Sequence, residues 1–425
     1  MKYILSGLFM VFLSQCLLAQ DFVRVESGIF YQGNERYIFM GANYWYGMYL
    51  GADAIYGDRD RLLRELDFLQ SIGVKNLRVL ASSEGSGKYQ VGPSLLEESG
   101  EYNDHLFEGL DFLLAQLAQR DMTAVLILNN FWMWSGGMPQ YVSWADRSDV
   151  PMPDIEGNGS WDPFVQYSLT FFENRKAQKM FRKHVVTMLN RRNVFTGKRY
   201  KDDPAILSWQ LANEPRGYQL QKEFRRWVDE TSAFIKRKDK NHLVSIGSEG
   251  NTHSEAAGVD LLLDNQCEGV DYATVHLWIQ NWGWYNPDKP QSFVSSLEES
   301  TKYLKSQVAK AEKLGKPIVI EEFGVSRDKG DFDCDSPTVY RDEFYRFVFE
   351  FMYEHVRADG PVQGCNFWSW AGEGRPDSPG GMWGSTDTFI GDPPHEKQGW
   401  YSVYDTDQST IELIKKYAKK VDGLK

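Results

Sequence analysis

The chain has 425 residues, 42 % of them hydrophobic and 25 % charged, with a formal net charge of −12. That composition is globular, and the acidic balance argues against nucleic acid or an anionic membrane as partner while leaving neutral and cationic ligands open. The length would fit two or three ordinary domains, but an α/β barrel with insertions reaches this size as one.

Residues 1–20 read apart from the rest. Lys2 precedes an apolar centre, Leu8-Phe9-Met10-Val11-Phe12-Leu13, and an exit at Leu17-Leu18-Ala19-Gln20. This is the plan of a signal peptide, with cleavage expected after Gln20, and the centre is too short to span a bilayer comfortably. Cys16 raises a lipoprotein alternative that the bulky Gln15 before it disfavours. The mature chain, 21–425, is expected to be secreted, extracellular or periplasmic, without stable membrane insertion. Its Cys267, Cys334 and Cys365 form neither a disulfide framework nor a zinc pattern. They leave room for one disulfide of unassigned pairing.

Strands and helices then alternate. Residues 36–45 read as the first strand, ending in Asn43-Tyr44-Trp45. Residues 58–71 read as a helix with Leu62, Leu63, Leu66, Phe68 and Leu69 on its apolar side and Gly73 closing it. Strand two is 74–80; Asp104 is expected to cap the next helix; strand three is 123–128, running into Asn129-Asn130-Phe131-Trp132. The segment 133–172, rich in Gly, Pro and Trp, is too long for a plain connection and reads as a functional loop. A basic helix, 173–193, leads to strand four, an apolar run from Ala205 expected to stop at Glu214 because Pro215 cannot donate to a ladder. Helix 218–238, strand 243–247, strand 272–278, helix 293–314, strand 317–322, helix 340–357, strand 362–368 and helix 411–421 complete the series. Eight strands alternating with helices predict a single (β/α)₈ TIM barrel; an open doubly wound sheet would carry a glycine-rich phosphate turn after its first strand, which is missing.

Polar and aromatic residues stand at nearly every strand end: Trp45, Arg78, Asn130, Glu214, Glu249, His276, Glu322 and Trp368. In a closed barrel these ends converge on one face, where barrel enzymes place their chemistry. Of Glu321 and Glu322, alternation lets only one point into the space of Glu214. Two carboxylates at two strand ends are the minimum set for cleaving a glycosidic bond; either could instead be a structural ion-pair partner. Fourteen Trp, 22 Tyr and 25 Phe supply either a large core or flat platforms for sugar rings.

With these residues assembled, the sequence resembles glycoside hydrolase family 5, and within it the secreted β-mannanases, over most of the mature chain. Asn213-Glu214-Pro215 looks like the family's acid/base motif and Glu322-Phe323-Gly324 like its nucleophile motif, a match that selects Glu322 over Glu321. Asn129-Asn130 with Gly136-Gly137, the run from His276 to Tyr285, Asn366 to Glu373, and Gly391 to His395 are similar to mannanase segments. Trp278 departs from the pattern, since many members have tyrosine there, and an indole N–H donates but cannot accept. The resemblance implies Glu214 as general acid and then base, Glu322 as nucleophile, and Arg78 holding the nucleophile ionised. It places Asn213 on the sugar 2-hydroxyl, His276 near the acid/base, and Trp368 as the aromatic floor with Trp370 its neighbour. Trp132 and Arg216 would serve the leaving-group side, and Glu249 falls in a mannanase-like Gly-Ser-Glu-Gly.

The resemblance implies endo-hydrolysis of β-1,4-mannosidic linkages in mannan, galactomannan and glucomannan with retention, needing no cofactor and no metal. A β-1,4-glucanase is the alternative of the same chemistry; a non-catalytic polysaccharide-binding barrel is the alternative of another class. The segments 133–172 and 372–398, carrying Trp134, Tyr141, Trp144, Trp161 and Trp383, are expected to rise as long βα loops and wall an extended substrate cleft.

Overall fold

A computed structural model describes residues 21–252 and 254–424; residues 1–20, expected to be a signal peptide, lie outside the described residues. Eight parallel strands form one sheet: β1 (Phe39–Asn43), β2 (Val74–Leu80), β3 (Thr123–Ile127), β4 (Ile206–Gln210), β5 (Leu243–Ser245), β6 (Ala273–Leu277), β7 (Ile318–Phe323) and β8 (Val362–Phe367). Their order is β5-β4-β3-β2-β1-β8-β7-β6. Between β5 and β6 the regular ladder gives way to single bonds. Asp271 N donates to Val244 O at 2.8 Å and His276 N to Glu249 O at 3.1 Å, while Thr274 Oγ1 donates to Ser248 O at 2.7 Å. These stitch the sheet into a barrel.

Apart from the half-buried Lys75 of β2 the strands are buried along their whole length, β3 reading Thr-Ala-Val-Leu-Ile without an exposed position. Such runs belong to strands covered on both faces. The helices cover the outside, each on its apolar stripe. All eight barrel strands fall where periodicity puts them. The helix Arg59–Ser71 is capped by Asp58, whose side chain accepts from Arg61 N. The helix Asp104–Gln119 is capped one residue earlier than expected: Asn103 accepts from His105 N and Leu106 N, and Asp104 is its first helical residue.

Two parts of the chain differ from the sequence reading. Residues Val23–Glu26, Ile29–Gln32 and Glu35–Arg36 form a small antiparallel sheet ahead of β1. Its Val23 and Phe30 pack with Phe39, Val125, Leu207, Leu243, Tyr272 and Val319, residues at the amino ends of the strands. Phe30 meets the Tyr272 ring edge-on at 5.3 Å. The hairpin therefore plugs the barrel floor, and burying the Phe30 ring contributes roughly 1.5–3 kcal/mol. The second difference is the segment 133–172, which is mostly helical: Gly137–Asp146 and Asp162–Leu169 are α-helices, flanked by short 3₁₀ turns at Met133–Ser135 and Thr170–Phe172. Pro139 falls in the first turn of its helix, where its missing N–H costs nothing. Cys267, Cys334 and Cys365 are unbridged. Among the described residues no helix is long and apolar enough to cross a membrane.

Asn103→Ala should lower stability by about 1 kcal/mol, the usual worth of an N-cap, while Asp104→Ala should cost a few tenths, as a first-turn charge does. Urea unfolding of the two variants checks the assignment, and equal losses would contradict it.

Candidate active site

Beyond Gln210 the chain of β4 stays extended but leaves the regular ladder. Asn213 N donates to Asn129 O and Glu214 N to Gly247 O, both at 2.9 Å. Glu214 takes φ +48°, in the left-handed region, a conformation that costs a non-glycine residue about 1–2 kcal/mol. The backbone bond to Gly247 and two side-chain bonds hold it there. Trp132 Nε1 donates to Glu214 Oε2 at 2.7 Å, and His276 Nδ1 lies 2.7 Å from Glu214 Oε1. Outlying backbone of this kind concentrates at functional sites because surrounding bonds over-determine it.

The alternation argument for Glu321 and Glu322 is overturned. In the pairing of β7 with β6, Ile320 faces Val275 and Glu322 faces His276, so Glu321 is an extra residue, a bulge. A bulge breaks the two-residue period and re-aims a side chain. Both carboxylates therefore face the barrel axis. Arg78 Nη1 donates to Glu322 Oε1, and Arg78 Nε lies 3.5 Å from Glu321 Oε2. Gln210 Nε2 donates to both oxygens of Glu321 at 2.8 Å.

Arg78 is fully buried at the centre of this group. Besides Glu322 it donates to Gln210 Oε1 at 2.8 Å, Asn43 Oδ1 at 3.0 Å and Asn213 Oδ1 at 2.7 Å. Asn213 is thereby oriented, its amide donating to Asn130 Oδ1 at 3.2 Å. His276 stands between the carboxylates: Nδ1 is also 3.2 Å from Glu322 Oε2, and Nε2 faces Glu321 Oε2 at 3.6 Å. Burial opposes charge on the ring, but the Glu322 charge and hydrogen bonds to Glu214, Glu321 and Glu322 outweigh it and raise the imidazole well above its ordinary pKa. Donor atoms of Glu214, His276 and Glu322 all lie within 4.8 Å of one another.

These groups open into a cavity of about 700 Å³, whose lining includes Trp132, Asn213, Glu214, Arg216, Trp278, Glu322 and Trp368. Trp278, the residue that departs from the family pattern, packs edge-on against Trp368 at 5.8 Å. Arg216 donates to both oxygens of Glu249, at 2.6 and 2.9 Å, and lies 4.9 Å over the Trp132 ring. Its guanidinium is committed to this pair while its edge lines the cavity. Burial raises the Glu249 carboxyl, with Arg216 pulling the other way. Arg78 and His276 lie beneath the cavity, not on its wall. Trp370 is buried in the core, donating to Glu65 Oε2 at 3.2 Å.

Of the five aromatics expected as platforms, Trp134 and Trp161 line the cavity. Tyr141 is buried core, its hydroxyl donating to Glu84 Oε1 at 3.0 Å. Trp144 packs on Tyr141 and Trp383 on Phe389, each ring serving its own loop. Gly136 and Gly137 have φ +87° and +67°, and a Cβ there would sit 2.0 Å from Glu84 O and 2.2 Å from Asn130 O; only glycine permits this approach. Four site residues escaped the sequence reading. Gln210 ends a short strand just ahead of the motif around Glu214, and the bulge in β7 conceals the direction of Glu321. Asn281 and Glu396 line the cavity from loops, where no periodicity marks direction.

A barrel presenting two hydrogen-bonded glutamates after its fourth and in its seventh strand, under a tryptophan-walled cavity, has the build of a glycoside hydrolase. The chain belongs to glycoside hydrolase family 5: the model of its β-mannosidase-like group matches residues 20–425. Mannan endo-1,4-β-mannosidase 1 of Oryza sativa subsp. japonica is 32 % identical over 363 residues, covering 82 % of this chain and 78 % of that one. The crystal structure of a family 5 mannosidase from Rhizomucor miehei superposes with TM-score 0.87 at 38 % identity, over 95 % of this chain and 98 % of that one. An endo-1,4-β-mannanase from the same organism shares the fold with TM-score 0.69 at 22 % identity, over 95 % of this chain and 100 % of that one.

Removing Arg216 strands a buried carboxylate. Arg216→Met should destabilise by about 3–5 kcal/mol, and adding Glu249→Leu should restore part of that loss. A double-mutant cycle in urea measures it; additive losses would show the pair uncoupled.

Proposed function

We propose that this enzyme hydrolyses β-1,4-mannosidic linkages in mannan, galactomannan and glucomannan, cutting within the chain and retaining anomeric configuration. The observation that carries the reading is the approach of the Glu214 and Glu322 carboxylates to within 4.8 Å. Retaining pairs stand about 5–5.5 Å apart, whereas inverting pairs leave about 6.5–9.5 Å for a water. Glu322, bonded by the Arg78 cation, attacks the anomeric carbon as the leaving oxygen takes a proton from Glu214. Water then attacks the same carbon, gives its proton to Glu214, and frees Glu322. Asn213, fixed by Arg78, meets the sugar 2-hydroxyl, Trp368 floors the cleaved subsite, Trp278 supports it, and Trp132 with Arg216 receives the leaving sugar. Action on mannosides is supported by the endo-mannosidase names of the curated relatives and by a mutant of the Rhizomucor mannosidase crystallised with mannosyl-fructose. Secretion is proposed from the sequence of residues 1–20.

A second reading, removal of mannose from chain ends, is favoured by one feature of the cavity. Trp134 from the loop after β3 and His395 from the loop after β8 stack at 6.2 Å with a 3° interplanar angle, joining the loops beside the cavity. Next to them Glu396 enters the cavity with Oε2 shielded from solvent and unpartnered. The match to a β-mannosidase-like model agrees with such a wall.

Glu322→Ala and Glu214→Gln should each lower turnover on mannan by several orders of magnitude while binding persists. Unchanged release by either variant would remove the assignment. In a parallel digest of mannan, galactomannan, glucomannan and carboxymethyl cellulose, the mannans should be cut faster; preference for cellulose would leave the glucanase. Rates on mannooligosaccharides should climb with length and give mixed products for internal cutting. Mannose alone, with a flat response from the dimer upward, would establish the chain-end reading.

A further inference from the structure

The bulge in β7 delivers a carboxylate for which the double-displacement scheme has no use. Glu321 is fully buried, cannot reach the cavity, and lies on the far side of the imidazole from the catalytic pair. Its two oxygens are pinned by the Gln210 amide. In that position it faces His276 Nε2, a ring nitrogen with no hydrogen-bond partner, at 3.6 Å. The opposite nitrogen, Nδ1, sits 2.7 Å from Glu214 Oε1. A carboxylate beyond Nε2 stabilises a proton on the ring and fixes the ring's orientation, as the outer partners of catalytic imidazoles do.

We propose that Glu321 is a positioning residue that keeps the catalytic proton stored on the Glu214–His276 pair. The inference rests on the assignment of Glu214 as acid/base. The pair shares one proton between Glu214 Oε1 and His276 Nδ1. It leaves for the leaving-group oxygen in the first displacement and returns from water in the second, so the count on the pair is restored each cycle. The negative charge of Glu321 holds that proton against loss to solvent as pH rises.

The other charged groups around His276 do not replace it. Glu322 carries the attacking oxygen and is paired with Arg78. Arg78, from β2, is shared between Glu321 and Glu322. Glu249, after β5, is matched by Arg216. Tyr303, from the helix Ser292–Leu314, donates to the Glu249 carbonyl, and burial raises its hydroxyl far above its ordinary range. Tyr272, the residue before β6, is bonded to Ser208 at 2.7 Å. Burial keeps the Glu396 carboxyl protonated well above the usual range, reinforced by Asp392, Glu322 and Glu214. Glu321 alone places a carboxylate on the open Nε2 side of the ring.

The test compares wild type, Glu321→Gln and Glu321→Asp in the full chain. Glutamine keeps the shape and an acceptor for Gln210 but removes the charge; aspartate keeps the charge. In Glu321→Gln the alkaline limb of kcat/KM on mannotetraose should move down by about one pH unit or more, the effect of a neighbouring charge within about 4–6 Å. Glu321→Asp should keep that limb near its wild-type position even where kcat falls. On a 2,4-dinitrophenyl β-mannoside, whose leaving group departs without protonation, the limb should stay in place in all three. A uniform loss at every pH on both substrates would make Glu321 a mere brace and overturn the inference. NMR titration of the His276 ring nitrogens, assigned with His276→Gln, reads the same point without substrate: the ring should release its proton at lower pH in Glu321→Gln than in wild type. Identical titrations overturn the inference, whereas a wild type inert on every mannoside with the titrations still displaced would sink the proposed function and leave the proton-holding role standing.

Discussion

Everything at the catalytic face is arranged around the guanidinium of Arg78. A charge with no exposure to solvent is tolerated only where its field and its donors are matched. Arg78 meets that requirement across the barrel, binding Asn43 from β1, Gln210 and Asn213 from β4 and its extension, and Glu322 from β7. The planar fork of arginine fits several partners at fixed angles, which a lysine ammonium would not. Asn43 carries the network further, its amide donating to the backbone carbonyls of Glu321, Asn366 and Phe367. One side chain thus sets the position of Glu322 relative to the other strands, and their carboxyl ends are tied by it into one layer.

Much of this was legible in the residues. The eight strands announce themselves because a strand covered on both faces is mostly apolar, and the helices because their apolar stripes recur at helical spacing. Glu214 and Glu322 stand out because a charge at the end of such a strand needs a reason. What escaped detection lacks periodicity. The floor hairpin is short and half polar, so its two anchors, Val23 and Phe30, look like any scattered hydrophobics. The helices within 133–172 are too brief and too rich in Gly and Pro to be told from an irregular loop. The facing of Glu321 was misread because a bulge changes register by one residue without leaving a mark in composition.

The Glu214 and Glu322 carboxylates reach the site by different departures from regular structure. Glu214 arrives through a left-handed residue beyond the last regular pair of β4, and Glu322 through a strand that gains one residue against its neighbour. Regular barrel geometry would have placed one of them against the outer helices. Neither departure is stable by itself; each is held by hydrogen bonds from other strands, to Gly247 and Trp132 in one case and to Arg78 in the other. Loss of those bonds would relax the backbone before it unfolded the barrel.

The hairpin that plugs the floor also fixes where the chain enters the molecule. The first described residues lie at the pole opposite the cavity mouth. The last helix, Gln408–Asp422, ends nearby, with Asp422 bonded to Lys75 at the amino end of β2. Both ends therefore leave from the rear of the barrel. A support, a linker or a fused module joined at either end would hold the enzyme with its mouth turned outward, toward an insoluble polysaccharide and away from the point of attachment.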